Sequence, residues 1–161
     1  MSTKTPFRAK SRATTASFLM LDHRILAHPN FTRLTGNAVK LLIDIASQFR
    51  GGNNGSLAMT WCAMSARGWK CKRALELAKQ ELLYYGWLLQ TRQGDRRQCC
   101  LYAITWAKID YCNGKLDCHS TLTAPGTWKL PKETWVKPRR GRGKIISVSE
   151  HALHSVRSCL P

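Results

Sequence analysis

Basic side chains are concentrated between Lys70 and Arg97, near the middle of the chain. This stretch holds seven cations against three acids, the cations being Lys70, Lys72, Arg73, Lys79, Arg92, Arg96 and Arg97. Lysine and arginine donate hydrogen bonds to phosphate oxygens, and arginine also pairs with the guanine edge. The chemistry that these residue types offer is contact with a polyanion, and we predict that all seven contact nucleic acid.

Three of these cations, Lys70, Lys72 and Arg73, stand at the start of a predicted helix. Positive charge there opposes the helix dipole at a cost of about 0.3–1 kcal/mol per residue. A solvated helix start gains nothing from such an arrangement, so we expect these residues to meet phosphates and, for Arg73, a base edge. The three later arginines stand at or next to a predicted hairpin tip, where contact with the DNA backbone or minor groove is favoured over mere solubility.

The two ends of the chain add to this positive charge. Residues 1–12 carry four cations and no acid, and residues 129–144 carry seven cations and only Glu133. Arg139, Arg140 and Arg142 belong to the second group and are also predicted contacts. The net charge of +17 attracts polyanions. Nucleic acid is therefore the predicted partner, ahead of an acidic protein or an anionic membrane surface.

No pattern of residues indicates catalysis. The five histidines form no catalytic arrangement, and a predicted element break separates Asp22 from Asp44, so paired carboxylates have no support. A glycine-rich motif for cradling phosphates is also missing. We therefore expect a binding protein rather than an enzyme, without a cofactor.

The seven cysteines are expected to be free thiols. Only Cys112, Cys118 and His119 resemble a cluster of metal ligands. A second tight pair of cysteines, which a zinc ribbon needs, does not accompany them. A structural zinc ion is the less favoured alternative and stays open.

The elements that position the central cations are a helix, a turn, a second helix and a hairpin. Thr60 is placed to cap a helix that ends at Arg67, Gly68–Cys71 forms a turn, and the second helix covers about Lys72 to Tyr85. Its predicted buried stripe consists of Leu75, Ala78, Leu82 and Tyr85. Two strand-like runs follow, Trp87–Arg92 and Gln98–Ile104.

Earlier in the chain, the pattern predicts a short helix over Asp22–His28, ended by Pro29. Thr35 caps a longer helix from about Gly36 to Arg50, and Ser56–Met59 is a candidate first strand. The apolar spacing of three and four in the longer helix places one stripe against a core: Ala38, Leu41, Leu42, Ile45, Ala46 and Phe49.

The 161 residues suit one domain with tails. We predict a flexible basic arm over residues 1–16, a folded domain over 17–108 and a basic, loop-rich extension over 109–161. Neither an apolar run long enough to span a bilayer nor a secretory signal stands in the sequence. A cytoplasmic location without a membrane partner is expected.

Residues 17–106 resemble winged-helix proteins of bacterial phages, plasmids and other mobile elements. The resemblance lies in Phe18–Leu21, Leu34–Ala38, Asn53–Gly55, the helix Ala74–Leu82 and the pair Gly86–Trp87. It implies an α+β fold, a winged helix-turn-helix with three main helices and a small antiparallel β-sheet, here with basic extensions. It also implies DNA binding of the replication-initiator or transcription-regulator type.

The predicted function is binding of double-stranded DNA through the second motif helix, as a regulator or replication accessory of a mobile element. The alternative is a small basic subunit or inhibitor of a nucleoprotein complex of the CRISPR type, which binds RNA or protein. Trp61, Trp69 and Trp87 bear on this choice because exposed indoles stack on single-stranded bases. Closing a small core is the favoured role for all three.

Overall fold

Five α-helices and three short strands lie within residues 18–138, the part of the chain that the computed structural model describes. In this part the helices are α1 His23–Leu26, α2 Pro29–Thr32, α3 Gly36–Ala46, α4 Trp61–Ala66 and α5 Lys72–Tyr84. The strands are β1 Leu57–Ala58, β2 Leu88–Arg92 and β3 Leu101–Ile104. Two 3-10 turns follow, Cys112–Gly114 and Thr127–Lys129. The expected α+β class, helices with a small sheet, is confirmed.

The sheet is antiparallel and has β3 in its centre, so that the strand order is β1-β3-β2. Leu57 lies opposite Tyr102, and Leu88 lies opposite Ile104. The register between β2 and β3 shifts between Gln90 and Arg92. All four residues of β3 are buried because strands flank it on both edges and the helices pack beside it.

Helices α3 and α5 pack against each other and form the centre of the core. The predicted stripes are buried in both, except that Phe49 is only partly buried. The hydroxyl of Thr35 accepts a hydrogen bond from the backbone N–H of Ala38 and caps α3, as predicted. Glu81 of α5, 2 % exposed, accepts from the Thr35 backbone N–H and hydroxyl, both at 2.7 Å. The buried carboxylate of Glu81 thereby connects α5 to the N-terminal end of α3.

Helix α3 ends at Ala46, four residues before the predicted end at Arg50. The Gln48 amide explains the difference, because it bonds both backbone groups of Ala58 in β1, at 2.9 and 3.1 Å. Asn53 in turn donates to the Gln48 carbonyl. The chain after α3 is thus held to the first strand and leaves the helical path.

Pro29 begins a helix rather than only ending one, which corrects the sequence-based prediction. It occupies the first turn of α2, where its missing N–H is not needed. The His28 ring accepts from the backbone N–H of Asn30 and caps this helix. Asn30 is buried and donates to the carbonyls of Trp128 and Leu130, both at 2.8 Å.

Residues 109–138, expected to be a loop-rich extension, are loop-rich and pack onto the helices and the sheet. The Trp128 ring stacks on the Trp87 ring, with centroids 5.1 Å apart and planes 13° apart. Trp135 donates its backbone N–H to the Tyr85 hydroxyl, and Gly126 donates to the Thr105 carbonyl. This segment therefore completes the core that the earlier elements begin.

Candidate nucleic-acid interface

The turn between α4 and α5 places the central cations. Thr60 caps α4 by accepting from the backbone N–H of Ala63, and α4 ends where Gly68 takes a positive φ of 87°. Such a φ strains any residue with a Cβ, so glycine suits this corner. Trp69 then turns inward and is buried in the core.

Asp44 of α3 anchors this turn. Its carboxylate accepts hydrogen bonds from the Trp69 indole at 2.8 Å, the Lys40 ammonium at 2.7 Å and the Arg67 guanidinium at 3.4 Å. Partial burial alone would raise the pKa of Asp44, but the hydrogen bonds from Lys40 and Trp69 outweigh it and the pKa is lowered. An ionised Asp44 thus holds the entry of α5 against α3.

The first turn of α5 presents exposed cations, as the sequence predicts. Lys70, Lys72 and Arg73 are exposed, while the neighbouring Leu75 is buried. Cys71 precedes the helix in extended backbone, and its side chain does not cap the helix by a hydrogen bond. The nearby backbone N–H groups of Ala74 and Arg73 nevertheless lower the pKa of the Cys71 thiol. The start of α5 therefore combines free backbone N–H groups with positive side chains, which suits an anion.

Two of the lysines on α5 have local partners. The Lys79 ammonium lies 2.7 Å from the Glu76 carboxylate, one turn earlier on the same helix. The Lys72 ammonium lies 5.5 Å from the centroid of the Trp61 ring. Both contacts lie near the surface and are weak. The Lys79 side chain remains 23 % exposed, and Lys72 is exposed.

The β2–β3 hairpin separates its three arginines into two groups. Arg92 donates to the backbone carbonyl of Cys99 at 3.0 Å and to that of Lys115 at 3.4 Å. Arg96 and Arg97 are exposed at the tip. Arg92 therefore braces the hairpin against the following segment, and the two tip arginines are the ones available to a ligand.

The tip itself is shaped by the Asp95 carboxylate. One of its oxygens accepts from the backbone N–H groups of Arg97 and Gln98, at 2.7 and 2.8 Å, and these bonds lower the pKa of Asp95. The thiol of Cys100 accepts from the Gly94 N–H at 3.2 Å. Strand β3 consequently begins at Leu101, three residues after the predicted start at Gln98.

A pocket of about 300 Å³ lies between α5 and the hairpin. Residues of α5 line one side and residues of the hairpin line the other, with the start of α4 at one end: Met59, Thr60, Trp61, Lys72, Leu75, Glu76, Lys79, Cys99, Cys100 and Tyr102. The basic face of α5 and the base of the hairpin therefore border a single concave surface. Burial raises the pKa of Tyr102, so its phenol stays protonated in the wall of this pocket.

The predicted tail contacts Arg139, Arg140 and Arg142 lie outside the described residues, as does the arm over residues 1–16. The structure places Lys70, Lys72 and Arg73 next to one another at the start of α5, with Lys79 further along the same helix. It places Arg96 and Arg97 at the hairpin tip. An exposed patch of Trp61, Trp69 and Trp87 is not formed, because Trp69 and Trp87 are buried in the core.

Sequence patterns missed three polar residues that hold this surface in place. They are Asp44, Glu81 and the fully buried Asn54, whose amide bonds backbone groups from Ile104 to Lys108. For Asp44 the sequence contains a weak indication of an ion pair, because it stands four residues after Lys40 on one helix face. Glu81 stands three residues after Ala78 and four before Tyr85, beside the predicted buried stripe of α5. Nothing in the local sequence distinguishes Asn54 from a solvated polar residue.

The cysteines within residues 18–138 are all free thiols. In this range no three His, Cys, Asp or Glu side chains come together in the way a metal site requires. Burial raises the pKa of both Cys112 and Cys118, and the Cys112 thiol lies 3.6 Å from the Asn54 carbonyl. The same range contains no helix that is both long and apolar enough to cross a bilayer.

Comparison of the chain with known protein families, curated proteins and solved structures gives no match. A function for the surface formed by α5 and the hairpin therefore rests on its own residues.

Proposed function

We propose that the protein binds double-stranded DNA through α5 and the β2–β3 hairpin, in the manner of a winged helix-turn-helix. In this proposal α5 enters the major groove with its first turn, and the hairpin acts as the wing beside it. The biological role that we propose is that of a regulator or replication accessory of a mobile element.

The observation that carries the proposal is the exposed basic start of α5 next to the hairpin. Lys70, just before α5, and Lys72 and Arg73, in its first turn, are exposed, whereas the opposite face of the helix is buried, so these cations are accessible to a ligand. The pocket shared by α5 and the hairpin makes the two elements neighbours on one surface. A duplex that met α5 would therefore also reach the hairpin.

The order of the elements supports the winged-helix part of the proposal. Helix α3, strand β1, helices α4 and α5 and strands β2 and β3 follow one another, and β1 returns to pair with β3. In such an arrangement the hairpin extends beside the second helix of the helix-turn-helix. The net charge of +17 supplies the sequence-independent attraction for phosphates.

The test is duplex affinity measured by fluorescence anisotropy over a range of salt concentrations. A variant with Lys70→Gln and Arg73→Gln is expected to bind more weakly. Its slope of log affinity against log salt should be shallower by about 0.9 for each phosphate that the variant no longer neutralises. The matched control is the variant Arg50→Gln with Lys108→Gln, which removes the same charge from exposed residues that lie outside α5 and the β2–β3 hairpin.

The control variant should keep the salt slope of the unmodified protein. Equal decreases in affinity for both variants would mean that only the overall charge matters, and α5 would then have no special role. A protein that binds no duplex at low salt would contradict the proposal altogether.

A further inference from the structure

We infer that the pocket between α5 and the hairpin holds one unpaired nucleobase of the bound nucleic acid, stacked on Trp61. This inference rests on the proposed function, because it adds a specific ligand to the same surface. The pocket volume of about 300 Å³ lies at the small end of the range for small-molecule sites, roughly 300–1,000 Å³. A single planar base is small enough for a site of this size.

Trp61 supplies the stacking surface. Unlike Trp69 and Trp87, it is only partly buried, and its ring lines the pocket at the start of α4. Leu75 and Tyr102, both buried, form apolar wall beside it. An aromatic ring above an apolar wall is the surface on which proteins stack unpaired bases without sequence preference.

Lys72 supplies the contact for the phosphate of the same nucleotide. Its ammonium now lies over the Trp61 ring, 5.5 Å from the centroid. A cation over a partly buried ring near the surface is held weakly, whereas a phosphate oxygen forms a charge-assisted hydrogen bond with the ammonium. An arriving nucleotide can therefore draw Lys72 onto its phosphate and leave the indole face to its base.

The ion pair of Glu76 and Lys79 reduces the electrostatic repulsion that the phosphate of a nucleotide would meet in the pocket. Glu76 is the one acid among the residues that line the pocket, and its carboxylate would repel a phosphate. Lys79 lies 2.7 Å from that carboxylate and neutralises it. Because Lys72 also lines the pocket, its charged residues together carry a net positive charge.

The experiment compares a fully paired duplex with the same duplex carrying one bulged nucleotide, each labelled at one end. The bulged duplex is expected to bind about tenfold more tightly, because one stacked base contributes a factor of this order. A duplex with an abasic bulge, which has the same kink but no base, should bind like the paired one. Equal affinities for the base-containing and abasic bulges would overturn the inference.

Substitutions of Trp61 test whether the preference for the bulged duplex arises in the pocket. Trp61→Ala should abolish the preference for the bulged duplex, and Trp61→Phe should keep most of it. The control is Tyr111→Ala, which removes an aromatic side chain that is 71 % exposed and does not line the pocket. A Trp61→Ala variant that retains the full preference would show that the base binds elsewhere.

Photocrosslinking tests the site in the unmodified protein, independently of any effect of a substitution on folding. A 5-iodouracil base placed in the bulge should crosslink to Trp61 on irradiation, as located by mass spectrometry of the digested protein. Crosslinks confined to peptides that contain no pocket residue would overturn the inference.

The two hypotheses fail in different ways. Binding of the paired duplex with no preference for the bulge leaves the proposed function intact and removes the pocket from it. Binding of the bulged duplex without binding of the paired one supports the pocket and contradicts the duplex-binding proposal. Absence of binding to either overturns both.

Discussion

Asp44 is the residue through which α3 holds the start of α5. Its side chain is 13 % exposed and accepts from Arg67 at the end of α4 and from Trp69 in the α4–α5 turn. Lys40, which resembles an ordinary exposed lysine on α3, belongs to this arrangement, since its ammonium also donates to the Arg67 carbonyl at 2.9 Å. The orientation of the basic helix therefore depends on residues that do not belong to it.

The lowered pKa of Asp44 predicts a pH dependence of stability. A carboxyl whose pKa is lowered by folding stabilises the protein above its unfolded pKa, near 3.8, and this contribution disappears as the pH falls through the lower folded pKa. At pH 7 the variant Asp44→Asn should have a free energy of unfolding lower by about 1–3 kcal/mol. Denaturant titrations at several pH values should show the difference from the unmodified protein shrinking below pH 3.8.

The exposed Asp22, whose pKa is lowered mainly by hydrogen bonds from Arg24, provides the control. Asp22→Asn should change the free energy of unfolding much less at pH 7. A destabilisation by Asp44→Asn that stayed constant down to the lowest pH would mean that ionisation of Asp44 does not stabilise the fold.

Arg73 and Lys79 are expected to contribute differently to DNA binding. Arg73 is exposed in the first turn of α5, whereas Lys79 is paired with Glu76 two turns later. Arg73→Ala should cost about 1–3 kcal/mol on a preferred site and less on random duplex, because the alanine cannot bond a base edge. Lys79→Ala should weaken binding to all sequences by the same small amount.

Competition binding with a selected site and a random duplex measures both effects, with Lys108→Ala as the control. Lys40, although it stands on the polar face of α3, is unsuitable as a control because it holds the α4–α5 turn. Equal decreases in affinity for both duplexes with Arg73→Ala would make α5 a backbone clamp without a role in specificity.

The packing of α3 against α5 supports the surface that we propose to contact DNA. Leu42 and Leu82 are fully buried in the stripes that the two helices share. Each substitution to alanine removes apolar packing and leaves a cavity, so Leu42→Ala and Leu82→Ala should each lower the free energy of unfolding by about 2–5 kcal/mol. Urea titration followed by circular dichroism measures this quantity.

Ile43, the residue after Leu42, is a matched control because it lies on the same helix and is 38 % exposed. Ile43→Ala should cost clearly less than Leu42→Ala. Similar costs for the two neighbours would show that the buried face of α3 is assigned wrongly.

At the scale of the whole molecule, residues 109–138 are needed to close the core. The Trp128 ring stacks on the Trp87 ring, and the backbone carbonyl of Trp128 accepts a hydrogen bond from the buried Asn30 amide. Trp128→Ala should lower the free energy of unfolding by about 3–5 kcal/mol. A chain that ends at residue 108 should be destabilised at least as much, because it lacks both the stacked ring and the partners of Asn30.

Leu122→Ala serves as the control within the same segment, since that side chain is 99 % exposed. Thermal unfolding followed by tryptophan fluorescence compares the variants. A chain shortened to residue 108 that unfolds at the same temperature as the longer chain would contradict a structural role for this segment.

The sequence alone determined the elements whose signals are local. Helices α3, α4 and α5 were predictable from the caps at Thr35 and Thr60, the turn at Gly68 and the apolar stripes of α3 and α5. The exposed cations at the start of α5 were predictable for the same reason. A helix places residues three and four apart on one face, so a short window of sequence contains the information.

Contacts between residues far apart in the sequence join these elements. The Asn30 amide reaches Trp128, 98 positions away, and Thr35 meets Glu81, 46 positions away. A single sequence carries no pattern for contacts between distant residues, because each partner alone looks like an ordinary polar or aromatic residue. For that reason the bracing role of Arg92, the anchor at Asp44 and the pocket beside Trp61 became visible only when the chain was folded.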